Sequence, residues 1–141
     1  MSQSPEPPPD THTRDHYRPV ANPDRVSSFK HSLAGVWYLV RNEQSVPILS
    51  LYTLSIVVLA LWLQVDRFQF VMLLIPAGMI WVVECLNTAV EAAVDLAMPR
   101  IHPLAKVAKD LGSASTFLSA LLSVIVSFIL LAPPLFEKLS G

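Results

Sequence analysis

Cysteine is almost absent from this 141-residue chain, where Cys85 stands alone. One thiol cannot close an intrachain disulfide or build a Cys-based zinc site, so packing is the role expected of it. Charge is scarce as well: Asp, Glu, Lys and Arg make up 15% of the residues and the formal net charge is −1. No basic stripe interleaved with aromatics is present, which excludes the usual electrostatic footprint of a nucleic-acid binder. Neither a Walker A motif nor a kinase Gly-rich loop occurs, so both common soluble nucleotide scaffolds are excluded. Residues 1–24 have no apolar h-region, and no secretory signal is expected there.

Apolar side chains are what the sequence has in quantity: 52% of residues are hydrophobic and the mean hydropathy is +0.48. These values place the chain in the membrane class, and it is too short for two ordinary domains. Residues 1–24 carry half of the 12 prolines and almost no large aliphatics. Such a segment cannot bury enough surface to offset its ordering entropy, so a disordered cytoplasmic tail is expected, its His12 and His16 simply solvated. The remainder, 25–141, reads as one membrane-embedded domain.

Within 25–42, Phe29, Leu33, Val36, Trp37 and Val40 recur at i, i+4, i+7, i+8 and i+11. That spacing predicts an amphipathic surface helix with a Trp-bearing apolar face at headgroup depth. Residues 47–65 form an uninterrupted apolar run, long enough for the ~30 Å of bilayer hydrocarbon. Asp66 and Arg67 mark a turn. A second apolar helix is expected over 68–98, kinked near Pro76 and Gly78. Pro99 and Pro103 are expected to break it, with PRIHPLAK as the connecting loop. The third span is expected over 111–132, stopped by Pro133 and Pro134, with Gly112, Ser113, Ala114 and Ser115 permitting close helix packing. The fold class expected is therefore all-α integral membrane, a surface helix followed by three transmembrane helices.

Basic residues set the expected orientation. Arg14, Arg18, Arg25, Lys30 and Arg41 precede the first span, and Arg100, Lys106 and Lys109 lie between the second and third. The opposite side holds only Arg67 and Lys138. This bias puts the N-terminus and the second loop in the cytoplasm.

The second span carries an anomaly. Glu84, Asn87, Glu91 and Asp95 lie at i, i+3, i+7 and i+11 in an otherwise apolar run. At 3.6 residues per turn they share an arc of roughly 80°. A carboxylate at a helix centre in a bilayer costs at least ~2.5 kcal/mol, so these groups must face protein, water or a cation. Three carboxylates and an amide converging on one volume would suit a hard divalent cation such as Mg²⁺. Lys109 and Asp110 follow at the expected cytoplasmic mouth of span three. Alone, that pair reads as helix capping; beside the acidic stripe, the ammonium suits a polyphosphate. Glu43 alone is an ordinary interfacial carboxylate, and His102 an interfacial titratable group. Carboxylates in a membrane also mark ion relays, so a small transporter or proton channel is the alternative class. A relay would spread polar groups through the bilayer depth, whereas here the first and third spans have uncharged interiors.

The run Glu84-x-x-Asn87-Thr88-Ala89-x-Glu91-x-x-x-Asp95, then His102 and Ala108-Lys109-Asp110-x-Gly112-Ser113-Ala114, resembles the prokaryotic diacylglycerol kinase family, which includes undecaprenol kinases. The resemblance covers about residues 25–132. It implies an integral-membrane homotrimer of the bacterial inner membrane, with active sites shared between subunits, that transfers the ATP γ-phosphoryl group to a lipid hydroxyl with Mg²⁺. By matching position it implies Glu84 as general base, Glu43 and Glu91 as metal carboxylates, and Asn87 and Asp95 as groups ordering the site and nucleotide. It further implies Lys109, Asp110 and His102 at ATP, and Ser32, Gly35 and Ser113 near lipid. Diacylglycerol is the expected acceptor, undecaprenol the alternative. The stretch after Glu43, QSVPILS, departs from the family's polar or basic pattern, with Pro47 in place of a helix-compatible residue.

Overall fold

The computed structural model describes residues 25–97 and 102–141. The expected disordered tail and the basic residues Arg14, Arg18 and Arg100 lie outside them. The described residues form four helices and no strand: α1 (Arg25–Asn42), α2 (Val46–Leu63), α3 (Arg67–Ala97) and α4 (Pro103–Ser140). The described residues divide into two units between Gly35 and Val36.

In the first unit the opening of α1 leaves Val26, Phe29 and Leu33 exposed. The Ser32 hydroxyl donates to the Ser28 carbonyl at 3.1 Å, satisfying itself within the helix.

The second unit holds the three long apolar helices, each sufficient in length and composition to cross a membrane. α2, with 18 residues, rises ~27 Å at 1.5 Å per residue, close to the hydrocarbon thickness. α3 and α4, with 31 and 38 residues, are longer than a bilayer requires, so their ends have polar work to do. The α2–α3 turn is built locally. Gln64 takes the left-handed conformation at φ 55° and its N–H closes the end of α2. Asp66 Oδ1 then accepts from the Phe68 and Gln69 amides at 2.7 and 3.0 Å, the N-cap bonding that short acidic residues supply.

α3 and α4 pack most closely, and α2 lies against both. Ile56, Ala60, Leu63, Leu73 and Leu131 form the buried core. Hydroxyls tie α2 to its neighbours: Tyr52 donates to Ser123 Oγ at 2.9 Å and lies 3.2 Å from Ser127 Oγ. One residue on, Thr53 Oγ1 accepts from Trp81 Nε1 at 3.0 Å. Between membrane helices, where lipid tails are as apolar as leucine, such bonds replace the hydrophobic drive.

Two expectations are corrected. α4 does not stop at Pro133 and Pro134 but runs through them to Ser140. Each proline forfeits one backbone bond, a loss neighbouring helices accommodate in a bundle. Here Lys138 reaches back to α2, donating to the Trp62 carbonyl with its ammonium 4.5 Å from the Trp62 ring centre. Pro103 does not lie in a loop; it is the first residue of α4, where its missing N–H costs nothing and its φ suits the helix. The apolar stripe of α1, expected to face the membrane interface, is exposed, and Leu39, outside that stripe, is buried. Cys85 is exposed rather than packed inside. It lines an apolar groove of about 370 Å³ together with Val36, Leu39, Trp81, Val82 and Leu86.

Candidate functional site: the polar stripe of α3

The stripe divides into three hydrogen-bonded pairs instead of converging on one point. Glu84 and Asp95 stand eleven residues apart, so a straight helix separates them by ~16 Å along its axis. They share a face but not a level. Accordingly, among the described residues no three His, Cys, Asp or Glu side chains stand close enough to hold a metal ion.

At the deepest level Glu84 is buried, with 4% of its surface accessible. Its Oε1 accepts from the hydroxyl of Ser45, the N-cap residue of α2. Nothing in the local sequence marks Ser45, which arrives from 39 residues away. Glu43, two residues earlier, is half-buried at the α1–α2 junction, its N–H donating to the Leu39 carbonyl at 3.0 Å. Pro47 sits in the first turn of α2, a position proline tolerates, so the departure noted after Glu43 does not interrupt the helix.

At the middle level Asn87 Nδ2 donates to Glu91 Oε1 at 3.2 Å. Asn87 is pressed against α4 at Gly112: a Cβ there would lie 2.3 Å from Asn87 Oδ1. Asn87 Oδ1, Thr88 Oγ1 and Thr116 Oγ1 are buried without a hydrogen-bond partner. Gly112 belongs to the small-residue run the sequence singles out, but its role as the seat of Asn87 is visible only here.

At the outer level Lys109 Nζ pairs with Asp95 Oδ1 at 2.6 Å, both side chains substantially exposed. α4 starts at Pro103, so Lys109 and Asp110 are its seventh and eighth residues. Asp110 and Ser113 are exposed. His102 is the N-cap of α4, its Nδ1 accepting from the Leu104 amide at 3.2 Å. It borders an apolar groove between α3 and α4 lined in part by Val90, Val94, Leu104 and Ala108. Ser32 and Gly35 belong to the first unit, and among the described residues no side chain packs against the Cα of Gly35.

The donor set fits Mg²⁺ held jointly with a substrate. Magnesium is commonly bound through one or two carboxylates plus phosphate oxygens and water. Glu91, engaged on one oxygen only, and Glu43 have that character. A buried carboxylate that accepts a hydroxyl proton donor and a carboxylate suited to a cation occur in sequence along α3, and beyond them Asp95 meets the ammonium of Lys109 from α4. These are the parts a phosphoryl transfer uses: a base, a metal and charge neutralisation.

Comparison with known proteins agrees with this composition. The family model described as prokaryotic diacylglycerol kinase matches residues 30–131. A diacylglycerol kinase of Synechocystis sp. is 32% identical over 114 residues, 80% of this chain and 65% of the relative. An undecaprenol kinase of Bacillus subtilis is 28% identical over 108 residues, 77% of this chain and 88% of the relative. A diacylglycerol kinase of Escherichia coli is 41% identical over 75 residues, 53% of this chain and 62% of the relative. The match thus spans slightly less than two thirds of the length of both diacylglycerol kinases.

Proposed function

The chain belongs to the prokaryotic diacylglycerol kinase family, and from that premise we propose that it is a membrane lipid kinase. It transfers the γ-phosphoryl group of ATP to the hydroxyl of diacylglycerol, giving phosphatidic acid. The observation that carries this reading is Glu84: a buried carboxylate in a long apolar helix, accepting a hydrogen bond from a hydroxyl. A lipid alcohol presents the same group. Burial of a carboxylate here is costly, and general-base chemistry is what it offers in return.

In this reading Glu84 takes the proton of the lipid hydroxyl. Glu91, oriented by Asn87, and Glu43 would hold Mg²⁺, which when bound would supply charge neutralisation at the transferring group. Asp95, Lys109, Asp110 and His102 bind nucleotide at the end of α3 and the start of α4. Ser32, Gly35 and Ser113 line the lipid path. Three facts support the arrangement: the Asn87–Glu91 bond, the Asp95–Lys109 pair, and the placement of Lys109 two turns from His102 along α4. The basic bias of the loops supports a cytoplasmic N-terminus and site in a bacterial inner membrane. The large exposed apolar surface suits contact with lipid, and the family resemblance is the ground for assembly as a homotrimer.

Undecaprenol is the second acceptor considered, because the Bacillus subtilis undecaprenol kinase is matched over 88% of its length. The two readings separate in one experiment: purified protein, Mg²⁺ and labelled ATP, with both lipids presented together. Label in phosphatidic acid supports diacylglycerol, label in undecaprenyl phosphate supports the alternative, and label in neither removes the kinase reading.

A further inference from the structure

Ser45 is placed where an acceptor alcohol belongs. Its hydroxyl donates to Oε1 of Glu84, the group assigned above as the base. A hydroxyl and a base within hydrogen-bond reach are the minimal arrangement for activating an oxygen nucleophile. Ser45 also forgoes its ordinary local task. An N-cap serine normally accepts a bond from an amide of its own first turn. Here Ser45 is the N-cap of α2 and makes no such bond. Pro47 at the second helical position has no N–H to offer, so one of the usual capping donors is missing.

The geometry points to Ser45 as an in-chain phosphoryl acceptor: in the absence of lipid, the protein phosphorylates its own Ser45 from ATP. The inference rests on the kinase reading above and deepens it. The step balances without any further reactant. The Ser45 Oγ–H proton passes to the Glu84 carboxylate. A bond forms between Ser45 Oγ and the γ-phosphorus of ATP. The bond from that phosphorus to the β,γ-bridging oxygen breaks, and ADP leaves with the bridging oxygen and its electron pair. The product is phosphoserine at the N-terminus of an 18-residue helix. There the positive end of the helix dipole favours a phosphate group.

The experiment uses the purified full chain in detergent with Mg²⁺ and γ-labelled ATP, with and without diacylglycerol, followed by peptide mass spectrometry. Label on Ser45 is expected in the lipid-free sample, reduced when diacylglycerol competes for Glu84. Ser45→Ala should lose it to background, while Ser45→Thr, which retains a hydroxyl, should keep label at that position. Glu84→Gln should lower it by ~10²-fold or more, the usual worth of a general base. A preparation that phosphorylates diacylglycerol yet never labels Ser45 overturns the inference and leaves the kinase reading intact. A preparation that labels neither lipid nor Ser45 overturns both. Label on another residue that survives in Ser45→Ala, with none on Ser45, overturns the inference alone.

Discussion

Asn87 lies against the backbone of Gly112 so closely that no side chain fits between them: a Cβ at Gly112 would come within 2.3 Å of Asn87 Oδ1 and 3.9 Å of Asn87 Cα. The same amide, through Nδ2, holds Glu91. The absence of a side chain on α4 therefore determines where a carboxylate on α3 stands.

Gly112→Ala is expected to push the Asn87 amide aside and break its bond to Glu91. A displacement of about 1 Å in a phosphoryl-transfer site costs on the order of 10²-fold in rate. Lipid phosphorylation by the purified variant, alongside its circular dichroism, checks this. Activity within twofold of wild type, with helicity preserved, would mean Asn87 does not position Glu91.

Glu84→Gln keeps the shape of the side chain and removes its capacity to take a proton. The catalytic rate constant should fall by ~10²–10⁴-fold. Nucleotide affinity, measured by equilibrium binding, should change little, because the nucleotide groups are assigned to the other end of the stripe. More than half of the activity remaining would remove Glu84 from the chemistry.

Glu91→Ala should raise the Mg²⁺ concentration needed for half-maximal activity, since losing a carboxylate weakens a hard-cation site. The decisive measurement is a Mg²⁺ titration at saturating ATP and lipid. A curve superimposable on that of wild type would contradict the metal role.

Tyr52→Phe removes the hydroxyl shared with Ser123 and Ser127, both buried. Hydrogen bonds between membrane helices average ~0.6 kcal/mol and reach ~1–2 kcal/mol, so a loss of this order is expected. Unfolding in mixed detergent would report it as a lower midpoint, with activity below that midpoint retained. An unchanged midpoint would mean the Tyr52 hydroxyl contributes nothing measurable to holding α2.

The sequence by itself determined the membrane class, the number and order of the long helices, the shared face of Glu84, Asn87, Glu91 and Asp95, and the family. These depend on run length and on the 3.6-residue period, which are local properties of the chain. Tertiary structure decided what each stripe residue meets. Ser45 reaches Glu84 across 39 positions and Tyr52 reaches Ser123 across 71, separations at which only helix packing brings residues together. Periodicity assigns a residue to a face but not to a depth, so the expected convergence of the stripe on one cation gave way to three separate pairs. Nor does periodicity single out Leu39, the one α1 residue that is buried, because it lies outside the apolar stripe. Local breaker rules ended the last helix at Pro133, yet α4 continues to Ser140, because contacts from another helix, such as Lys138 with Trp62, outweigh a backbone preference of a few kcal/mol.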